Sequence, residues 1–218
     1  MAATIGVYGE ASFRRLYGEI VPIEPGRVVV THDGQRLALA GRPFEFLHTP
    51  GHALHHQTIV DLEARAVFTG DTFGISYREF DVDGRAFAIP TTTPTQFDPQ
   101  QLVASIRRIA ALRLEAVYMT HFSRATDVPR LAESLERQVR ELAQFALAQA
   151  DADDAAARIR AMLRQSWLEQ AFAHGCTLAE AQVDALLRAD LDLDTDGVMA
   201  WLGWRRAPAA RCAGPGGG

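Results

Sequence analysis

Hydrophobic and polar residues follow β-type spacing along much of the chain up to residue 126, whereas later residues follow helical spacing. Apolar residues three and four positions apart share one helix face, and they predict a short N-terminal helix at Phe13, Leu16, Tyr17 and Ile20. The Asp33-Gly34 dipeptide suits a type I′ turn, so residues 27–31 and 36–40 are predicted to pair as a hairpin. Further β-type runs occupy residues 44–47, 57–62, 66–69 and 116–119.

A long segment and a helix separate the last two of these runs. Residues 76–99 show little periodicity and many Thr, Pro and Asp residues, which predicts a long surface loop. The helix has a clear start, because Asp98 suits the N-cap, Pro99 the first helical position and Gln101 the far end of a capping box.

The chain after residue 126 is rich in Ala, Leu and Arg, and its pattern predicts three helices. Gly175 is expected to end the second helix, and Thr177 with Glu180 forms a capping-box signature for the third. Residues 192–197, DLDTDG, are similar to the start of a calcium-binding loop, but that loop needs a bidentate Glu where position 203 is Gly. We interpret this run as a solvated acidic turn between helices.

Composition narrows the class of protein without identifying it. The 218 residues carry a net charge of −5, which argues against a nucleic-acid partner because such proteins usually present a basic face. No stretch approaches the roughly 20 apolar residues that span a bilayer, and the first residues lack the features of a secretory signal. The two cysteines, Cys176 and Cys212, form no motif, so a reducing, cytoplasmic environment is expected.

Three potential metal ligands follow predicted strands: His52, Asp71 and His121. His52 precedes a predicted hairpin and Asp71 follows it, so the two residues return to one edge of the sheet. His121 follows a strand that comes after a helix, an arrangement that can place it at the same edge. Two imidazoles and a carboxylate suit zinc, with iron or manganese as possible alternatives.

The residues around these ligands resemble the metallo-β-lactamase superfamily. The runs LHTPGH at 47–52, VFTGDT at 67–72 and MTHF at 119–122 match it in order and spacing. The resemblance implies an α/β fold, here a partial αββα sandwich with a C-terminal helical extension. It also implies hydrolysis of a small ester, thioester, lactone or phosphoester by a metal-bound hydroxide. Members of that family bind two zinc ions. The resemblance implies that His52 belongs to one metal site, that His121 belongs to the other, and that Asp71 is the catalytic carboxylate that bridges both.

The family's strongest signature, an HxHxDH motif before the TPGH run, is not present in this sequence. We therefore expect one metal or none to bind, and hydrolysis to be impaired. Residues 1–126 are interpreted as the C-terminal portion of the family's domain, residues 127–212 as a helical extension and residues 213–218 as a disordered tail. The chain is either a fragment of a longer enzyme, a non-catalytic remnant, or half of a split protein that acts through protein contacts. A homo-oligomer or a complementing N-terminal chain is the expected partner.

Three further residues are candidates for supporting roles. His56 is predicted to orient a ligand or contact the substrate, with a polar residue at a strand start as the equally weighted alternative. Tyr77 and Arg78 leave the Asp71 end of the sheet and are predicted to bind substrate, through an oxyanion contact and an anion contact respectively. The alternative is a surface loop whose aromatic residues pack on the domain.

Overall fold

A computed structural model describes Ile5 and residues 9–92 and 96–206. The chain divides into two compact units, residues 1–31 and residues 32–218. The first unit contains helix α1, Glu10–Tyr17, and a short 3-10 turn, Pro25–Arg27. Helix α1 confirms the predicted N-terminal helix but ends at Tyr17, short of Ile20. The Gly18 amide donates to the Arg14 carbonyl at 3.0 Å just after its last residue. The predicted tail, residues 213–218, and Cys212 lie outside the described residues.

The second unit is built on a six-stranded sheet whose spatial order follows the sequence order. Its strands are β1 Gln35–Leu39, β2 Arg42–His48, β3 Gln57–Asp61, β4 Ala66–Gly70, β5 Ala116–Met119 and β6 Ser123–Ala125. All neighbours pair antiparallel except β4 and β5, which pair parallel because a helix connects them. Strands β2, β4 and β5 therefore run in the same direction, and their carboxyl ends meet at one edge of the sheet.

The first hairpin differs from the prediction. Residues 28–32 form no strand, and β1 pairs instead with β2 through Ala40-Gly41. Ala40 and Gly41 have φ values of 51° and 83°, and a type I′ turn requires positive φ at both central residues. Asp33-Gly34 lies beside the end of β2, where the Gly34 amide donates to the Phe46 carbonyl at 2.7 Å. The dipeptide does form a turn, but it does not join the two arms that the sequence pattern predicted.

Helix α2, Pro99–Ala111, confirms the predicted start. The Asp98 carboxylate accepts hydrogen bonds from the Gln100 and Gln101 amides, at 3.0 and 3.1 Å, which satisfies two amides that the helix cannot pair internally. The predicted return bond of a capping box is absent among the described contacts, since the Gln101 side chain donates to the Asp98 carboxylate at 2.9 Å. The Asp98 amide donates instead to the Gly51 carbonyl.

The predicted surface loop before α2 is largely buried in its described part. It contains a 3-10 turn, Arg78–Phe80, and a β-bridge between Ile75 and Ile89. Six of its apolar side chains are no more than 7 % exposed and join the core together with the preceding Ile75: Phe80, Ala86, Phe87, Ala88, Ile89 and Phe97. Apolar residues without periodic spacing fill this layer, which is why the pattern gave no signal for burial.

Three helices follow the sheet: α3 Val128–Gln149, α4 Ala155–His174 and α5 Glu180–Arg206. Gly175, with φ of 106°, ends α4 as predicted. Helix α5 begins later than the predicted capping box, and the Gln182 side chain accepts a hydrogen bond from the Ala179 amide at 2.9 Å. None of the helices in the described part of the chain combines the length and apolar character needed to cross a membrane.

The acidic run at 192–197 is helical, not a turn, because α5 continues through it. Its central residue, Asp194, is 1 % exposed, so the prediction of a solvated acidic turn is wrong. The cause is spacing: Leu187, Leu191, Asp194 and Val198 lie three or four positions apart on one buried helix face. One carboxylate therefore enters the core with its apolar neighbours.

Candidate metal-ligand site

His52 lies in the tight connection between β2 and β3. Gly51 precedes it with φ of 126°, and a Cβ there would lie 2.1 Å from the Leu102 backbone nitrogen, so only glycine fits against α2. The Ser105 hydroxyl donates to the Pro50 carbonyl at 2.6 Å and fixes the same connection on the helix. The TPGH run thus holds His52 at the carboxyl edge of the sheet.

Asp71 follows β4 directly at the same edge. Gly70 before it has φ of 53°, and a Cβ there would lie 2.4 Å from His56 Nε2. The absence of a side chain at Gly70 lets the His56 ring approach the backbone, where the Asp71 amide donates to Nε2 at 3.0 Å. Gly70 and His56 together determine where the Asp71 main chain lies.

The hydrogen bonds of His56 define its protonation state. Since Nε2 accepts from the Asp71 amide, a neutral ring carries its proton on Nδ1, which lies 2.9 Å from the Thr72 hydroxyl oxygen. The Thr72 hydroxyl in turn donates to the Thr49 carbonyl at 3.1 Å. Burial lowers the pKa of His56 to about 4, so the neutral form predominates near pH 7. His56 is therefore a neutral contact to the Asp71 backbone.

His121 completes the cluster from the end of β5. Its Nε2 lies 3.5 Å from Asp71 Oδ1, and His52 Nε2 lies 3.5 Å from Asp71 Oδ2. Asp71 Oδ1 is buried and makes no hydrogen bond to any residue that the structure describes. The structure therefore brings the three predicted ligands together, with one carboxylate oxygen facing each imidazole.

His52 is oriented with a ring nitrogen toward the carboxylate. Its Nδ1 lies 3.2 Å from the Thr91 carbonyl oxygen, which can only accept, so Nδ1 carries a proton. Burial lowers the pKa of His52, and the Asp71 charge opposes this effect only in part. In the resulting neutral ring, Nε2 has a lone pair that faces Asp71, which is the form that ligates metals.

The donor set fits part of a metal centre and does not complete one. Among the described residues, no group of three or more His, Cys, Asp or Glu side chains could hold a metal ion. His52 pairs with Asp71 Oδ2 and His121 pairs with Asp71 Oδ1, so the cluster forms two separate pairs around the carboxylate. A structural or catalytic zinc site needs three or four protein ligands, so each pair is short of ligands.

The polar groups of Tyr77 and Arg78 are engaged within the protein. The Tyr77 hydroxyl donates to Asp190 Oδ2 at 2.7 Å, and burial together with this contact raises the pKa of Tyr77. The Arg78 guanidinium donates to the Ser76 hydroxyl at 2.9 Å and pairs with Asp81 at 3.1 Å. Their substrate contacts stay predictions, and a substrate would have to compete with these partners.

Two acidic residues near the cluster were missed by sequence reasoning. Asp190 accepts a hydrogen bond from Tyr77, and burial raises its pKa, an effect that this bond and nearby His121 offset only in part. Asp194 accepts from the Thr92 amide at 2.8 Å, next to the carbonyl that His52 contacts. The pair Asp190 and Asp194, four residues apart beside buried leucines, was the available signal.

The fold and the cluster define a class: an α/β protein with histidine and carboxylate side chains clustered at the carboxyl ends of its strands. The family model described as the metallo-β-lactamase superfamily matches residues 3–121, over half of the chain. The chain belongs to the metallo-β-lactamase superfamily.

Individual relatives agree with this assignment. The lactamase-like protein vrtG of Penicillium aethiopicum is 33% identical over 97 residues, which are 44% of this chain and 27% of that protein. A metallo-β-lactamase family protein of Thermus thermophilus has a TM-score of 0.54 at 18% identity, over 94% of this chain and 62% of that one. An archaeal superfamily protein of Sulfolobus tokodaii has a TM-score of 0.50 at 22% identity, over 65% and 49%. The chain thus spans about a quarter of vrtG and about half of the archaeal protein.

Proposed function

We propose that this chain supplies three of the ligands, His52, Asp71 and His121, of a two-metal hydrolase centre that acts on a small ester, thioester, lactone or phosphoester. The observation that carries the proposal is the Asp71 carboxylate between His52 and His121, with one oxygen 3.5 Å from each Nε2. Carboxylate oxygens and neutral imidazoles suit zinc, with iron or manganese as alternatives. A metal ion held there would act as a Lewis acid: it would polarise the scissile bond and lower the pKa of bound water toward neutral pH.

In this proposal the chain's own residues bind the metal and orient the side chains that bind it. His52 and His121 present ring nitrogens, and His56 holds the Asp71 main chain through the Asp71 amide. Each His–carboxylate pair offers two donors, so additional ligands must come from a complementing segment or chain. We therefore expect the 218-residue chain alone to bind zinc weakly and to hydrolyse esters or phosphodiesters near the background rate.

Zinc uptake of the purified chain tests the proposal. After zinc loading and dialysis, we expect less than one zinc per chain, and less still in Asp71→Ala. His55→Ala is the matched control, because His55 is exposed, lies three residues from His52 and is absent from the cluster. Equal uptake by wild type and Asp71→Ala would show that the cluster is not a ligand set. Two tightly held zinc ions per chain would show that no ligands are missing.

A second candidate is a non-catalytic remnant, or half of a split protein, that acts through protein contacts. One observation favours it: four apolar residues form a row across the sheet face opposite the core, here called the outer row, Phe46, Ile59, Phe68 and Tyr118. Their neighbours Val60, Val67 and Val117 point into the core. Phe68 and Tyr118 are 45% and 36% exposed, and their rings stack at 5.3 Å. Exposed apolar patches of this kind mark contact surfaces.

A further inference from the structure

A single peptide unit lies between His52 and the C-terminal helix. The Thr92 amide of this unit donates to Asp194 Oδ1 at 2.8 Å. The Thr91 carbonyl of the same unit lies 3.2 Å from His52 Nδ1. His52 and Thr91 are 39 positions apart and Thr92 and Asp194 are 102 apart, so tertiary packing alone brings these groups together.

The contacts around this peptide hold it in one orientation. Asp194 is 1% exposed and Thr92 is 4% exposed. The Thr92 hydroxyl donates to the Asp194 main-chain carbonyl at 3.1 Å, which adds a second link between the same two residues. An acceptor at the amide of a peptide also polarises its carbonyl, so the carbonyl becomes a stronger acceptor for His52.

We infer that Asp194 is a positioning residue for His52 and acts through the Thr91–Thr92 peptide. The aligned carbonyl fixes His52 with its proton on Nδ1 and its Nε2 toward Asp71. A backbone carbonyl that bonds the second nitrogen of an imidazole sets both its tautomer and its ring angle. The inference rests on the proposed function only in that it takes His52 as a metal ligand.

Another carboxylate on the same helix provides the matched control. Asp190 lies one turn earlier on α5 and is half-buried, but its carboxylate accepts from the Tyr77 hydroxyl at 2.7 Å. No hydrogen bond links it to the Thr91–Thr92 peptide among the described contacts. Removal of its charge therefore leaves the peptide in place.

Nitrogen NMR of histidine-labelled protein tests the inference without any metal. His52→Gln assigns the His52 signals, and wild type is expected to show one tautomer with the proton on Nδ1. Asp194→Ala is expected to lose this single-tautomer pattern at His52. Asp194→Asn, which keeps an oxygen to accept from the Thr92 amide, and Asp190→Asn are expected to retain it.

Two results would overturn the inference: a wild-type His52 with its proton on Nε2, or an unchanged His52 pattern in a folded Asp194→Ala. If Asp194→Ala does not fold, the wild-type spectrum still decides, since the wrong tautomer contradicts the inference without a variant. Zinc uptake separates this test from that of the proposed function. If the His52 pattern changes in Asp194→Ala but the chain takes up no zinc, only the proposed function is contradicted. Zinc uptake with an unresponsive His52 contradicts only the inference.

Discussion

At the residue scale, the motifs predicted which three side chains come together, but not the contacts that orient them. The TPGH, FTGD and TH runs pointed to His52, Asp71 and His121, because their order and spacing along the chain form a recognisable pattern. The partner of His52 is a carbonyl that any residue could supply, so position 91 carried no signal. Asp194 was hidden for a different reason, since an acidic residue in an acidic run is usually solvated.

Burial of Asp194 has a consequence for stability that depends on pH. Its pKa is raised well above the usual value by burial and by the charge of Asp190, while the Thr92 bonds act in the opposite direction. As the pH rises above about 4, the unfolded chain loses this proton first, so the folded state loses up to about 1.4 kcal/mol of stability per pH unit. The loss continues until the pH passes the folded-state pKa.

Asp194→Asn removes this titration. We therefore expect the free energy of unfolding of wild type, relative to that of the variant, to fall as the pH is raised from about 4.5 to about 6.5, a range set above the ordinary pKa of Asp. Urea unfolding of both proteins at several pH values measures the difference. A difference that does not change with pH would show that Asp194 titrates normally in the folded protein.

At the scale of elements, strands and helix starts with local signals were predicted well. Strand β5 was predicted at its observed bounds, and the start of α2 followed from Asp98 and Pro99. The predictions of the hairpin arms and of the extent of α5 were wrong. The hairpin depends on which turn joins β1 to β2, and the length of α5 depends on core packing. Strand β6 was not predicted, since three residues are too few for a periodic pattern.

The N-cap of α2 is the best test at this scale. We expect Asp98→Ala to lower the free energy of unfolding by about 1 kcal/mol, because two amides at the helix start lose their acceptor. Asp154→Ala is the control: Asp154 precedes α4 without a side-chain cap bond and makes an exposed pair with Arg158. Its loss should change stability by less than about 0.5 kcal/mol. Equal effects of the two substitutions in denaturant titrations would contradict the role of the cap.

At the scale of the whole molecule, the α/β class and the common strand edge followed from the order of strands and helices. The direction of β2, β4 and β5 explains why three distant sequence runs meet, and this much was predictable. The division between sheet domain and helical extension at residue 126 stays a prediction. The buried layer before α2 and the outer row depend on which face the helices cover, which the strand pattern alone does not specify.

The outer row leads us to expect self-association of the isolated chain. Replacement of both Phe68 and Tyr118 by Lys should lower the molar mass measured by light scattering during gel filtration, because buried lysines oppose contact between apolar faces. Phe172→Lys is the control, since Phe172 is 42% exposed on α4 and not on the sheet. A wild-type chain that is monomeric at every concentration would exclude this surface as a self-contact.

The link from α5 to the Thr91–Thr92 peptide also sets an order of events during synthesis. Residues up to Ala125 contain every strand in the described part of the chain, so the sheet can pair while the ribosome is still making the later helices. Asp194 emerges more than a hundred residues after Thr91 and is among the last described residues to be made. The orientation of His52 is consequently completed only when a later-made helix docks against residues made long before it.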